Sequence, residues 1–455
     1  MKIELSDHFT YKKLFIFTLP PILMMIFTSI YSIVDGFFVS NYVGEMPFTA
    51  VNFIMPFLLI LGSVGFLFGS GGSALIAKTL GEGDNKKANM LFSLFVYIII
   101  ISGVVFSLSG IIFIRPIALL LGASEIILDD CVIYGRIILS ALPFCMLQYA
   151  FQTFFVTAEK PILGFMVTLI AGFTNIILDA LFVAVFKWGI AGAAIATAVS
   201  QAVGGIVPLI YFFSKNKSLL RLGKTRFDIS SLLKASSNGM SEFLSNITLS
   251  LIGMLYNAQL MKYAGENGVA AYGTVMYVGM IFFAVFGGYS MGTAPVIGFH
   301  YGAENSEEVK SVLHKSLKII GVTSVVMLAS ALLLARPLST LFVGYNKTLT
   351  DMTVRAFDIY SFVFLFAGIP IFSSSFFTAL NNGFVSALIS FLRTAVFQVI
   401  AVLTLPLIWG TDGIWISCVV ADFAAVLISV VCLIVNGKKY KYSNSRTSND
   451  VVNNN

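Results

Sequence analysis

An all-α polytopic membrane protein, with twelve transmembrane helices in two six-helix lobes related by internal duplication, is predicted by three features of this 455-residue sequence. Hydrophobic residues make up 58% of it and charged residues 11%, against roughly a quarter charged in an average globular domain, and the mean hydropathy is +0.92. Apolar stretches of about 20 residues or more, bounded by Gly, Pro, Asn or charge, recur along the whole chain. Matching residues in the two halves keep one fixed separation. A backbone exposed to lipid must satisfy its own hydrogen bonds, so such stretches joined by short loops form helices.

The first lobe, residues 1–213, holds six stretches, near 14–40, 48–78, 91–113, 131–157, 161–186 and 190–213. Its opening, MKIELSDHFTYKKLF, is polar and the apolar run behind it is too long for a secretory core, so helix 1 itself is expected to do the targeting. The pair Pro20-Pro21 falls early in that helix and either starts or kinks it. In the second stretch, GSVGFLFGSGGSA has no GK[ST] and no preceding strand, so it is no phosphate loop; close helix packing through Gly65, Gly69 and Ser73 accounts for it. Residues 214–235, opening SKNKSLLRLGKTR, form a basic inter-lobe linker. The second lobe, residues 236–435, repeats the plan at 236–264, 269–299, 312–334, 354–379, 384–408 and 412–435, and a polar tail fills 436–455.

Charge sets the orientation. With the N-terminus in the cytoplasm, 20 of the 28 Lys and Arg residues, Lys2 and Arg446 among them, fall on the cytoplasmic side, so both termini are expected there. The net charge of +6 is then a property of that surface and calls for no nucleic-acid partner. Three His and four Cys without zinc spacing leave little material for a metal centre, and no cofactor is expected. The cysteines read as small apolar helix residues.

The duplication shows at an offset of 221. Gly44-Glu45 answers Gly265-Glu266, Gly81 answers Gly302, Arg115-Pro116 answers Arg336-Pro337, Thr157-Ala158 answers Thr378-Ala379, and Gly189 and Gly192 answer Gly410 and Gly413. Six helices is an even number, so both halves enter the membrane in the same direction, related by an axis along its normal. Two such lobes leave a central cleft, and rocking them gives alternating access.

Against this apolar background, FTNIILDALFVAVF sets Asn175 and Asp179 four apart, on one helix face. A buried carboxylate persists only where something compensates its cost. Counting about 1.5 Å per residue, Asp35 of helix 1, Asp179 of helix 5 and Thr197 of helix 6 reach a common layer in the outer part of the first lobe. Their counterparts at the offset, Tyr256, Val396, Ile400 and Cys418, share none of that chemistry, so the six-helix scaffold does not require the cluster. The structural alternatives are a helix-end turn at Asp35-Gly36, an Asn175 that satisfies nearby backbone, and a Thr197 bonded to its own helix. Two close carboxylates make a proton acceptor, and Asp, Asn and Thr equally supply the hard oxygens an alkali cation prefers, so the set suits H+ or Na+. In the second lobe, Arg393 and Asp422 lie at similar depth, as a structural ion pair or a substrate contact. Gln148, Tyr149, Gln152, Tyr256, Asn257 and Met276 are the amide, aromatic and Met groups suited to varied lipophilic cations.

The stretches FTLPPILMMIFTSIYSIVDGFFVSNYVG, GSGGSALIAKTLGEGD, TNIILDALFVAVFKWGIAGAAIATAVSQ and GTAPVIGFHYGAEN, with the layout they sit in, resemble the MATE family of multidrug and toxic compound extrusion transporters over residues 10–435. The resemblance implies an N-lobe cation site at Asp35, Asn175, Asp179 and Thr197 and a helix-1 hinge at Pro20. It implies an antiporter of the bacterial cytoplasmic (inner) membrane, expected to be a monomer in the lipid bilayer, that exports small organic, cationic compounds against H+ or Na+. One departure is that many relatives carry an acid well inside helix 7, where this chain has only Glu242 near the start, which puts a second cation site in doubt. The alternatives are a lipid-linked precursor flippase, which needs several deep basic groups where only Arg393 is found, and an integral-membrane transferase, which needs acidic or His motifs on large loops that are missing here.

Overall fold

The computed structural model describes residues 3–442; Lys2, Arg446 and the tail beyond Tyr442 lie outside the described residues. The described residues are helical almost throughout. Nine helices, and two more built from bent pairs, are long and apolar enough to span a membrane. The longest, Ile229–Gly302, is two spans: Gly265 leaves helical geometry (φ 62°, ψ −157°), and the Tyr256 and Tyr272 rings stack 5.5 Å apart. Those rings would stand about 24 Å apart on a straight helix, so the chain reverses between them and the total is twelve.

In order, α1 is Tyr11–Phe38. α2 is Glu45–Gly62 continued by Val64–Gly81 across Ser63, and α3 is Asn85–Leu121. α4 joins Glu125–Ser140 to Leu142–Thr157 through a 56° bend. α5 is Pro161–Asp179 with a π-helical end at Ala180–Val185, and α6 is Gly189–Phe213. The second lobe has α7 (229–264), α8 (266–302), α9 Ser306–Val343, and α10, Lys347–Tyr360 and Val363–Ala379 bent by 48°. α11 is Gly383–Thr404 with a π turn at Leu392–Val396, and α12 is Pro406–Asn436. Asp228 starts α7 by accepting the Ser231 hydroxyl and the Ser231 and Ser230 N–H groups, which holds its carboxyl below the usual range. The helix therefore begins seven residues before the apolar stretch does, and the linker is correspondingly shorter than residues 214–235.

Helix α1 settles the proline question. Thr10 caps it by accepting the Lys13 N–H, so Pro20-Pro21 lies in its interior and does not start it. The two missing N–H groups leave the Ile16 and Phe17 carbonyls without helical donors. On either side of that weak point, Thr18 and Ile22 lie against Gly292 and Gly288 of α8. Beyond it, Phe27 and Tyr31 lie against Gly172 of α5. Helix α1 thus stays on the second lobe past its prolines, as far as Ser29, whose hydroxyl reaches the Met280 carbonyl, while its far half also meets the first lobe.

At the end that carries both described termini the lobes meet without side chains between them. A methyl group on Gly81 would fall 1.9 Å from the Phe299 carbonyl oxygen of α8, and one on Gly302 would fall 2.0 Å from that of Lys78 in α2. These two glycines are partners at the 221 offset, so the pseudo-twofold axis passes between α2 and α8. Gly71 and Gly239 make the same reciprocal approach between α2 and α7. Ile3, Leu5 and Phe9 are buried beneath this seam in one apolar cluster with Val156 of α4 and Phe376 of α10. The Leu5 N–H donates to Glu159 of the first lobe (2.7 Å) and the Phe9 N–H to Glu308 of the second (2.8 Å).

Candidate functional site

Helices α1, α5 and α6 bring the oxygen-bearing residues together. Asp179 is fully buried and Asn175, one turn earlier on the same face, is 2% exposed. Asp35 is half-buried; its Oδ1 accepts from the Thr197 hydroxyl at 3.2 Å, and its carboxylate lies near Asn175 and Asp179. Both carboxylate oxygens of Asp179 and the Asn175 carbonyl oxygen receive no donor. Leaving such acceptors unpaired costs about 1 to 3 kcal/mol each, and the missing partner must be electropositive. Backbone geometry marks the same place: α5 changes to π-helix immediately after Asp179, and α1 does so at Val39–Val43, one turn after Asp35. Single π turns inside α-helices frequently accompany functional sites.

Two residues that sequence reasoning missed surround the cluster. Tyr134 of α4, 1% exposed, lies near both Asp35 and Asp179, and no local motif announces it. Tyr31 sits one turn before Asp35 on the same face of α1, which the i, i+4 spacing could have revealed, and lies near Gln148. Gln148 and Gln152 line a cavity of about 10 Å³ between α4, α5 and α6, and each leaves its buried Nε2 unpaired. Tyr149 stacks on Phe66 of α2 with ring centroids 4.3 Å apart. Tyr256 belongs to the second lobe's core, Met276 packs at its edge, and Asn257 is exposed. These six residues do not converge on one pocket.

The equivalent region of the second lobe is closed and self-satisfied. The Tyr256 hydroxyl pairs with Gln398 of α11 and with the Ser417 hydroxyl of α12 (2.9 Å), and Tyr272 stacks on its ring. Gln398 meets Tyr256 as Asn175 meets Asp35, yet these two are 223 apart in sequence. The fixed offset therefore slips within this helix. The N-caps of α5 and α11, Lys160 and Asn382, are already 222 apart, and the π turn Leu392–Val396 adds one residue. Ile400, the sequence counterpart of Asp179, is consequently 56% exposed toward lipid, while Val402 takes the buried position. Nearby, Arg393 Nε donates to Asp422 Oδ1 at 2.5 Å, with the guanidinium over the Phe283 ring and Glu242 within reach of its charge.

Twelve helices in two duplicated lobes, sealed at one end and holding acceptor-only oxygens inside one lobe, define a multi-pass transmembrane transporter. The MatE family model matches residues 20–181 and 243–403, most of the chain and once in each lobe, and the chain belongs to that family. The multidrug export protein MepA of Staphylococcus saprophyticus is 27% identical over 320 residues, 70% of either chain. That of Staphylococcus aureus is 24% identical over 425 residues, 92% of this chain and 93% of its own. The outward-facing conformation of a multidrug resistance MATE family transporter of the MOP superfamily superposes with a TM-score of 0.90 at 20% identity, over 96% of this chain and 98% of that one.

Proposed function

We propose that this protein is a multidrug exporter that couples the outward passage of lipophilic organic cations to the inward passage of H+ or Na+ through Asp35, Asn175, Asp179 and Thr197. The observation that carries the reading is the buried Asp179 carboxylate facing Asp35 with no donor on either oxygen. Two neighbouring carboxylates in a buried site favour holding a proton, and the same oxygens suit an alkali cation. Charge bias puts the sealed, basic end in the cytoplasm, so the site is reached from outside in the conformation described here. Transport then requires the α2/α8 seam to part, with α1 flexing at Pro20. The names of the MepA relatives support drugs as cargo. The flippase reading lacks its deep basic groups, since Arg393 is tied to Asp422.

The test is ethidium efflux from energised cells, repeated with the proton gradient or the sodium gradient collapsed. Asp179→Asn and Asp35→Asn are each expected to abolish gradient-driven efflux while the protein remains inserted at normal level. Normal efflux from either variant removes that residue from the coupling site, and efflux indifferent to both gradients overturns antiport.

A further inference from the structure

The basic linker does more than join the lobes. Leu220 and Leu222 are buried in the first lobe's core, and between them and Asp228 the chain is seated on α3 by a ladder of hydrogen bonds. The Arg221 N–H donates to Asn89 Oδ1 (2.5 Å), the Gly223 N–H to Ser93 Oγ (3.0 Å), the Tyr97 hydroxyl to the Gly223 carbonyl (3.0 Å), and the Thr225 hydroxyl to the Met90 carbonyl (2.7 Å). The strap and the first turns of α3 enclose a cavity of about 480 Å³. Its wall carries Lys86, Arg221, Lys224 and Arg226 and no acidic side chain. Among the described residues none of these four makes an ion pair; the nearest acids along the chain are engaged elsewhere, Asp84 capping α3 and Asp228 capping α7.

Four cations held around one cavity by a hydrogen-bonded strap are a site for a polyanion. What lies beside it decides which. Tyr97 stands against the strap and against the exposed Phe213 ring. From Tyr97, α3 continues with Ile101, Val105 and Leu108 at helical spacing, each more than half exposed, as an apolar stripe toward the middle of the bilayer. Phe227, next to Arg226, is 72% exposed. A ligand that fills both features has a phosphate headgroup and acyl chains. We propose that the cavity binds the headgroup of an anionic phospholipid bearing more than one phosphate charge, with its chains along the exposed face of α3. The inference is independent of what the transporter carries.

Native mass spectrometry of the full-length protein titrated with tetraoleoyl cardiolipin, phosphatidylglycerol or phosphatidylcholine tests it. Cardiolipin is expected to be retained in preference to phosphatidylcholine. Each Lys or Arg near an anionic lipid contributes about fivefold in affinity, so the double variant Lys224→Gln/Arg226→Gln, which touches none of the strap's hydrogen bonds, is expected to lower cardiolipin affinity about thirtyfold. The charge-matched variant Lys215→Gln/Lys217→Gln, elsewhere on the same linker, is expected to retain it. Inorganic phosphate at millimolar concentration is expected not to compete. Equal loss in the two variants would reduce the effect to general surface charge and overturn the site. Displacement of cardiolipin by inorganic phosphate would show a free-phosphate site and overturn the lipid assignment.

Discussion

The seam between α2 and α8 offers the most direct way to bias the transporter's two states. In the sealed state a Cβ on Gly302 would stand 2.0 Å from the Lys78 carbonyl oxygen, about 1.4 Å short of ordinary contact at 3.4 Å, and the obstacle is backbone that cannot rotate aside. Forcing a methyl into packing of this kind costs about 1 to 3 kcal/mol. In a state whose lobes have parted at this end the methyl meets no opposing helix and costs nothing. Gly302→Ala is therefore expected to move the sealed-to-open ratio about 5- to 150-fold toward open. The assay is electron–electron distance measurement between spin labels at Lys87 on α3 and Glu307 on α9, both exposed at this end, in which a longer-distance population should grow. Gly65→Ala is the control, because a methyl there meets the Met146 backbone within the first lobe and destabilises both states alike. If Gly302→Ala lowered thermal stability as Gly65→Ala does yet left the distance distribution unchanged, the seam would not be where the states differ.

Three further outcomes follow from particular contacts. Neutralising either Arg393 or Asp422 should destabilise the protein by about 3 to 5 kcal/mol because the other charge is left buried; the double neutralisation should cost less, and simple additivity in a thermal-stability cycle would refute the coupling. Val402→Asp combined with Asp179→Asn should fail to restore coupled efflux and should lower insertion by about 2.5 to 3.5 kcal/mol, since Tyr256 and Gln398 already satisfy each other there; recovered efflux would show the lobes to be interchangeable. Glu308→Ala removes the acceptor of the Phe9 N–H, a charged hydrogen bond contributing about 1.5 to 3 kcal/mol, so amide exchange at Phe9 should quicken about 10- to 150-fold, and an unchanged rate would mean that the segment is held by its apolar side chains alone.

The twelve spans were legible because hydropathy reports burial in lipid directly, and the N-lobe cluster was legible because Asp in an apolar run has few explanations. Other features depend on geometry that one-dimensional patterns do not carry. A π turn adds a residue without changing composition, so the offset of 221 misplaced the counterpart of Asp179 at Ile400. The opening segment reads as polar, yet its three apolar residues, Ile3, Leu5 and Phe9, point into the seam while Asp7, His8 and the backbone take the polar contacts. Side-chain type alone cannot distinguish an inward-facing Gln from one such as Gln148, which faces neighbouring helices of its own lobe. Helix α7 began earlier than hydropathy placed it because its first turns are capped but not apolar.

Helix α1 connects these features physically. Its far half carries Asp35 and Tyr31 and packs on α5 beside the residues proposed to bind the ion. Its near half lies on the glycine face of α8, the same helix whose Gly302 closes the seam, and the interruption at Pro20-Pro21 falls within that near half. A rigid α1 would tie the lobes together and resist their separation, whereas a helix lacking two hydrogen bonds can bend at that point and yield as they part. On the proposed reading, the charge on the two carboxylates sets how closely the far half of α1 packs on α5, and a bend at the prolines passes a change in that charge to α8. The duplicated lobe cannot do the same: Tyr256, in the place of Asp35, is already satisfied by Gln398 and Ser417, and α7, the counterpart of α1, has no proline. On that proposal, two lobes of one ancestry divide the work, the first binding the ion and the second providing the surface against which its motion acts.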